Sequence, residues 1–390
     1  MEKLEQIKAE NFLPEKFNKN EIARYSEVVR NSYLEHFSKN GYKKKDSIDI
    51  AARDADPSVL FIGSTISALK PLYLNDEVPE NGVIIDQPCI RTHNLKNIYS
   101  KEPNKGNTVF ELLGGIVPGN KFSDVYKLSL DYFYEKLKVE KNRLFVKASS
   151  LDKDILKSME IDGDSPEIEL DGRKQDYYRW KYGMEGVAGR GMAFAIRNKH
   201  DANKSITLGN IIIMESDNHP NAVQWGYGVG SIISGKYSKE RVIDGSIINQ
   251  VVPFSEGENA KFADSLAAVI EMYNSGLVPS NRGADSYLKA YLRGLAYWAS
   301  ENKIEKDEIL KYVVDYCMLR NIPNADLISG NIIKEIDLHI LQVDKVFQKY
   351  KDKGADDIGR ILNSEKEISK ISNKFKIHPV EVKIIINNLQ

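Results

Sequence analysis

The sequence predicts an α+β fold in which a sheet-forming domain precedes an all-α domain. Runs rich in β-branched residues, which favour strands, are concentrated before residue 255. Beyond that point, apolar residues recur every three or four positions, which is typical of helices. Pro253, Ser255 and Gly257 interrupt the pattern between the two regions. We therefore predict two domains, residues 1–254 and residues 255–390.

The first domain is predicted to start with a helix over 20–40, where Ile22, Tyr25 and Val29 recur at helical spacing. A second amphipathic helix is predicted over 123–139. Strands are predicted at 59–65, 81–86, 108–116, 143–149 and 206–216. In the second domain, helices are predicted at 258–275, 284–301, 305–320 and 329–351, with two or three short helices over 356–390.

The charge balance gives no indication of nucleic-acid binding, because 56 acidic residues nearly cancel 55 basic ones. A balanced total can still conceal a basic face, so tRNA is kept as a candidate partner and DNA is not expected. The first twelve residues are charged rather than apolar, and no run approaches the ~20 apolar residues that cross a bilayer. We therefore expect no membrane partner.

Cysteine and histidine usage predicts neither disulfides nor a metal site. Cys89 and Cys317 lie far apart, which fits the reducing cytoplasm, and this is the expected location. The six histidines are scattered and form no zinc pattern, so we assign no metal ligand. Composition says nothing about oligomeric state.

Four separated segments share their residues and their order with one known family. A glycine-rich segment, RWKYGMEGVAGRG (179–191), lies between the second and the third. The segments are DPSVLFIGSTISALKP (56–71), QPCIRTHNLKN (87–97) with GNTVFELLGGIVPG (106–119), TLGNIIIME (207–215) with VQWGYGVGS (223–231), and NSGLVPSNRGADSYLKAYLRGL (274–295). In this order they resemble the alanyl-tRNA synthetases, a family of class II aminoacyl-tRNA synthetases.

The resemblance implies a class II antiparallel sheet flanked by helices, followed by a helical domain that meets the tRNA acceptor stem. It implies ATP-dependent activation of an amino acid, alanine or an analogue, as an aminoacyl-adenylate. The acyl group would pass to an acceptor such as tRNA, and Mg²⁺ would arrive with the ATP phosphates. Residues 368–382 resemble the stretch before the family's editing domain, and the chain has no HxxxH motif of that domain. We therefore expect no editing.

The resemblance places the ATP site on two motifs. Arg91 matches the family's α-phosphate arginine and is the expected catalytic residue, because a planar guanidinium can hold phosphate and carboxylate oxygens together. Phe110 matches the aromatic residue that stacks on adenine. Glu111 is expected to face the nucleotide amino group or the metal. Gly228 and Ser231 complete the expected ATP site.

The resemblance also places an amino-acid pocket on three segments. Trp180 matches the tryptophan that lines the pocket, and Asn210 matches the strand asparagine at its floor. Asn210 is expected either to contact the ligand or to make an internal hydrogen bond. Gln224 and Gly226 belong to the same pocket.

Two of these positions depart from the family pattern. Gln224 replaces an aspartate that would pair with the substrate ammonium, and this exchange gives up ~1–3 kcal/mol of charge pairing. Ser231 replaces an arginine that would meet the adenine and the γ-phosphate. Lys236, Lys239 or Arg241 could supply the missing cation from a displaced position.

On the RNA side, Lys289 and Arg293 are the expected tRNA contacts on a helix whose basic face is thinned by Ala290 and Gly294. Arg91, Phe110 and Trp180 favour an enzyme that activates an amino or carboxylic acid. The alternatives are a catalytically degenerate paralogue that binds tRNA or a metabolite as a regulator or partner subunit, and an assembly subunit that uses the cleft only as a scaffold.

Overall fold

The computed structural model describes residues 12–53, 56, 58–102, 104–160, 165–253 and 258–389. The chain divides into two compact units, one formed by Met1–Arg91 with Lys105–Gln250 and the other by Thr92–Asn104 with Val251–Gln390. The strands lie in the first unit and the long helices that follow lie in the second, so the predicted α+β order is confirmed. The segment Thr92–Asn104 interrupts the first unit in sequence but belongs to the helical unit.

Nine strands among the described residues form one sheet in the first unit. They are β1 (Lys43–Lys45), β2 (Val83–Ile90), β3 (Val109–Pro118), β4 (Leu144–Ala148), β5 (Glu167–Leu170), β6 (Arg179–Lys181), β7 (Val187–Arg197), β8 (Ser205–Ser216) and β9 (Ala222–Gly228). The spatial order is β1-β2-β3-β9-β8-β7-β4-β5, and β6 pairs with β7. The two edge pairs, β1–β2 and β4–β5, are parallel, and the other described pairs are antiparallel. The sheet is therefore mixed, with the antiparallel centre that the resemblance implies.

The helices of the first unit precede, separate and follow its strands in sequence. They are α1 (Ile22–Lys39), α2 (Thr65–Leu74), α3 (Phe122–Asp131), α4 (Lys153–Ser158), α5 (Val229–Lys236) and α6 (Ile247–Val251). One face of the sheet, which we call the packed face, is covered by α1, α3 and α5. Its core includes Tyr33, Phe37 and Trp225, and the indole of Trp225 donates to Tyr33 Oη at 2.7 Å. Burial of these large aromatic residues stabilises this side of the sheet.

The opposite face is only partly covered. Helix α2 packs Ile66 and Leu69 against Ile85 and Ile116 at one end of the face. The predicted strand at 59–65 is wrong, because Phe61 forms only an isolated bridge and Thr65 already begins α2. The apolar run still contributes to the core, since Ile62 is buried against Cys89.

The second unit is helical throughout its regular elements. Its helices are α7 (Glu258–Asn274), α8 (Gly283–Glu301), α9 (Lys306–Arg320), α10 (Ala325–Tyr350), α11 (Ala355–Leu362), α12 (Glu365–Phe375) and α13 (Pro379–Asn387). In the described part of the chain, no helix combines the length and the apolar character that spanning a membrane requires.

Specific contacts tie the segment Thr92–Asn104 to this unit. Lys261, which is buried, donates to Asn97 O at 2.8 Å and to Asn104 Oδ1 at 2.9 Å. The indole of Trp298 donates to Ile98 O at 2.6 Å. Gly294 allows this approach, because a Cβ there would lie 2.2 Å from Ile98 Cδ1. The glycine that thins the basic face of α8 therefore makes room for the Ile98 side chain.

Candidate active site

The sheet register brings most of the predicted site residues to one face. Phe110, Asn210, Gln224 and Gly226 define this face, which we call the site face; it lies opposite the packed face. Asn210 is the register partner of Gly226, and Gln224 is the partner of Ile212. Residues two apart on a strand, and register partners on antiparallel strands, project to the same side. Residues far apart in sequence therefore share one surface.

Arg91 lies directly after β2 and stacks on Phe110. Its guanidinium carbon is 4.4 Å from the centre of the Phe110 ring. Nη1 donates to Asn107 O at 2.7 Å, and the Arg91 amide donates to Thr108 O at 2.8 Å. The structure therefore places the expected phosphate-binding cation beside the expected adenine-stacking ring.

Glu111 lies on the other side of the sheet from Phe110. Its carboxylate is 3.6 Å from Nη1 of Arg30, which also pairs with Asp86 at 2.6 Å. Adjacent residues of a strand project to opposite faces, so Phe110 and Glu111 cannot line the same ligand. The structure does not bring Glu111 to the site face.

Gln224 is held by its amide nitrogen. Nε2 donates to Thr65 Oγ1 at 3.0 Å and to Trp225 O at 2.9 Å, and both Gln224 and Thr65 are buried. Within the described residues, the structure gives no donor to Oε1 of Gln224. That oxygen is a neutral acceptor, so it can bind an ammonium or another donor without a full charge pairing.

Gly228 and Ser231 lie together at the start of α5. A Cβ on Gly228 would be 3.0 Å from Ser231 Oγ, which places that hydroxyl beside the site face. Gly226 is more open, since a Cβ there would meet no atom closer than 3.7 Å. The two glycines leave a flat floor over which a ligand can approach the backbone.

The three cations considered as replacements for the missing arginine contact other groups. Lys236 Nζ donates to the main-chain oxygens of Leu137 and Lys138 at 2.7 and 3.2 Å. Lys239 Nζ lies 3.7 Å from the ring centre of Phe17, and Arg241 pairs with Asp244 at 2.8 Å. These contacts of all three cations are therefore with groups other than Ser231.

Trp180 reaches the site face through β6, where its register partner is Gly189 of β7. Gly183 and Gly186, in the turn that joins the two strands, both have φ of +69°, which a residue with a Cβ rarely adopts. The glycine spacing of this segment is thus needed in part for the turn. The Trp180 side chain is partly exposed, as expected of a residue that lines an open pocket.

Two residues of the site face escaped the sequence analysis. Thr65 lies within a matching segment, but the run around it resembles a strand. No sequence pattern therefore indicated that its hydroxyl would hold Gln224. Tyr182 follows Trp180 by two residues, and this spacing could have placed it on the same side. A Cβ on Gly189 would lie 3.1 Å from Tyr182 Oη.

Across the described ranges, no group of three or more His, Cys, Asp and Glu residues is arranged to hold a metal ion. The residues present therefore do not form a resident magnesium site by themselves.

The predicted RNA contacts belong to the helical unit. Lys289 Nζ donates to Asn281 Oδ1 at 2.8 Å, and burial together with Arg293 lowers the pKa of Lys289. Lys289 and Arg293 are four residues apart on α8, so they lie on the same face of that helix. Tyr291 and Tyr297 of the same helix are buried in the unit.

Comparison with known proteins supports the motif match. Residues 28–198 match the family described as tRNA synthetases class II (A), a range that includes Arg91, Phe110 and Trp180 and ends before Asn210. Alanine–tRNA ligase of Fusobacterium nucleatum subsp. nucleatum is 22% identical over 375 residues, covering 88% of this chain and 41% of that protein. The enzyme of the same name from Acetivibrio thermocellus is 32% identical over 120 residues, covering 30% of this chain and 13% of that protein.

Structural comparison gives a weaker similarity. The apo S. aureus histidyl-tRNA synthetase structure has a TM-score of 0.36 and 8% identity, covering 62% of this chain and 78% of that one. This chain spans about two fifths of the length of the Fusobacterium relative.

Proposed function

Because the chain is related to the alanyl-tRNA synthetases, as its motifs predicted, we propose that the site face binds ATP and activates an amino or carboxylic acid. The substrate carboxylate would attack the α-phosphate, forming an acyl-adenylate and releasing pyrophosphate. The acyl group would then pass to an acceptor, for which tRNA is the candidate favoured by Lys289 and Arg293. Mg²⁺ would arrive with the ATP phosphates.

The observation that carries this proposal is the stack of Arg91 on Phe110 at the edge of the glycine floor. Activation brings two anions together, so a cation that contacts both lowers the barrier. An adenine that took the same face of the Phe110 ring would displace the guanidinium, whose in-plane N–H groups would then turn toward the phosphate oxygens. Gly226 and Gly228 leave room for the adenylate above the backbone.

The amino-acid end of the site is neutral at Gln224. Oε1 can accept a hydrogen bond from the substrate ammonium, but the pairing of opposite charges is absent. A carboxylate would add an attraction between opposite charges that a neutral amide oxygen lacks, so the ammonium is held less tightly by Gln224 than by a carboxylate. The substrate must therefore obtain more of its binding energy from other contacts.

One observation favours the alternative, a degenerate paralogue that binds tRNA or a metabolite without catalysis. Ser231 stands where a second phosphate-facing cation would lie, and Lys236, Lys239 and Arg241 contact other groups. Under this alternative, the site face binds a nucleotide or adenylate but does not form the acyl-phosphate bond. Binding and catalysis therefore have to be measured separately.

Isothermal titration tests the binding part of the proposal. Wild-type protein is titrated with ATP-Mg and then with a non-hydrolysable alanyl-adenylate analogue, alongside Arg91→Ala. The matched control is Arg197→Ala, because Arg197 also stacks on a phenylalanine, with its guanidinium carbon 4.1 Å from the Phe145 ring centre. We expect a loss of at least tenfold for Arg91→Ala and no change for Arg197→Ala. If folded wild-type protein binds neither ligand, the proposal is wrong.

A further inference from the structure

One residue of the site face, Tyr182, carries a buried hydroxyl. Tyr182 Oη is inaccessible to solvent and has no hydrogen-bond partner among the described residues. A buried hydroxyl that makes no hydrogen bond costs ~1–3 kcal/mol, so such groups are usually satisfied. A missing partner of this kind is a reason to look for a ligand atom or an ordered water at that position.

The position of the hydroxyl follows from the register of β6, β7 and β8. Tyr182 follows Trp180 by two residues, and its Oη lies 3.1 Å from where a Cβ on Gly189 would be. The same Cβ would lie 2.7 Å from Cγ2 of Ile212, whose register partner is Gln224. The hydroxyl and Gln224 therefore lie on either side of the Ile212 side chain, on the same face of the sheet.

Other polar groups on this face also have unused hydrogen-bonding capacity. Oε1 of Gln224 accepts no bond from a described residue. The partly exposed side chain of Asn210 likewise makes no hydrogen bond within the described part of the chain. Burial raises the pKa of Tyr182, and the nearby Tyr73 phenol raises it further. The Tyr182 hydroxyl therefore stays protonated and can both donate and accept a hydrogen bond. A few convergent polar groups in an apolar wall are typical of a small-molecule site.

We propose that the pocket selects an amino acid with a short side chain that carries a hydroxyl or a carboxamide, held by Tyr182 Oη. The side chain must be short, because Ile212 and the Tyr182 ring fill the space above Gly189. An alanine methyl would leave the buried hydroxyl without a partner. A site built around a hydrogen bond discriminates strongly against a substrate that cannot form it. This inference rests on the proposed function, since it concerns the acyl group of the same adenylate.

The test compares three non-hydrolysable sulfamoyl-adenylate analogues, carrying L-serine, L-asparagine or L-alanine, by isothermal titration against wild-type protein and Tyr182→Phe. We expect the seryl or the asparaginyl analogue to bind wild-type protein at least tenfold more tightly than the alanyl one. Tyr182→Phe should bring this ratio within twofold. The control is Tyr126→Phe, which removes another buried hydroxyl without a described partner, but on the packed face.

The outcomes separate this inference from the proposal on which it rests. If wild-type protein binds the alanyl analogue as tightly as both polar ones, or if Tyr182→Phe keeps the ratio, the substrate class is wrong and adenylate binding still stands. If folded wild-type protein binds none of the three analogues and no ATP-Mg, the proposed function fails, and this inference fails with it.

Discussion

Gly226→Ala should separate ligand binding from folding. A Cβ at this position would meet Thr65 Oγ1 at 3.7 Å, Gln224 Nε2 at 3.8 Å and Leu112 Cδ1 at 3.9 Å, which are ordinary van der Waals distances. The added methyl group therefore costs little in packing. Replacing glycine also reduces the entropy of the unfolded chain, which stabilises a protein by about 0.4–1 kcal/mol where the backbone conformation allows it. We expect an unchanged or slightly higher free energy of unfolding.

The same methyl group projects into the space that the adenylate would occupy. A ligand in contact with the glycine floor must move away from the backbone, and overpacking of this kind costs about 1–3 kcal/mol. At 1.4 kcal/mol for each factor of ten, that is a loss of roughly five- to 150-fold in affinity for an adenylate analogue. Isothermal titration measures the affinity, and urea unfolding followed by circular dichroism measures the stability.

Gly114 provides the matched contrast, because it is the register partner of Gly226 on β3. A Cβ on Gly114 would lie 2.2 Å from Trp225 O, a backbone atom that cannot rotate away. Gly114→Ala should therefore destabilise the first unit by at least ~1–3 kcal/mol. Wild-type affinity in Gly226→Ala would refute a ligand on the glycine floor. Equal destabilisation by the two substitutions would refute the difference in space around Gly226 and Gly114.

Three further predictions test other parts of the structure. Glu111→Gln should leave adenylate affinity within twofold, because Glu111 faces Arg30 on the packed face; a tenfold loss in titration would place it in the ligand site. Gly294→Ala should lower the free energy of unfolding by about 1–3 kcal/mol, and adding Ile98→Ala should relieve part of the clash; additive effects would contradict this. Burial lowers the pKa of Lys236 to about 8 in the folded chain. Between that pH and the higher pKa of Lys236 in the unfolded chain, the unfolded state binds more protons than the folded state, so the free energy of unfolding rises with pH. Urea unfolding at pH 7.5 and 9.5 should show that Lys236→Met loses this rise. The same pH dependence in wild-type protein and in Lys236→Met would contradict the lowered pKa of Lys236.

Much of the fold could be predicted because its signals are local. The β-branched run at 206–216 is strand β8, and the helical spacing at 284–301 is helix α8. The run at 59–65 misled, because a short apolar stretch cannot be assigned to a strand or a helix start by periodicity alone. The contacts of Thr92–Asn104 with the helical unit are long-range, and no local pattern indicates them.

The candidate site was likewise predictable only in part. The motif match assigned Phe110, Asn210 and Gln224 to the site, and the sheet then placed their strands side by side with the three residues on one face. Alternation along β3 already implied that Glu111 points away from Phe110, so this separation could have been foreseen from the strand prediction. Tyr182 is identified as a site residue only because its buried hydroxyl lacks a partner among the described residues, and burial is a property of the folded chain.

The most direct test of the account is amino-acid-dependent exchange of labelled pyrophosphate into ATP by the purified wild-type chain, with each of the twenty standard amino acids in turn. Exchange requires reversible formation of an acyl-adenylate, so it reports the chemistry itself rather than binding. The account predicts exchange with at least one amino acid, and its loss in Arg91→Ala but not in Arg197→Ala. Absence of exchange with every amino acid, in protein that binds the adenylate analogue, would contradict activation and leave the binding paralogue as the function.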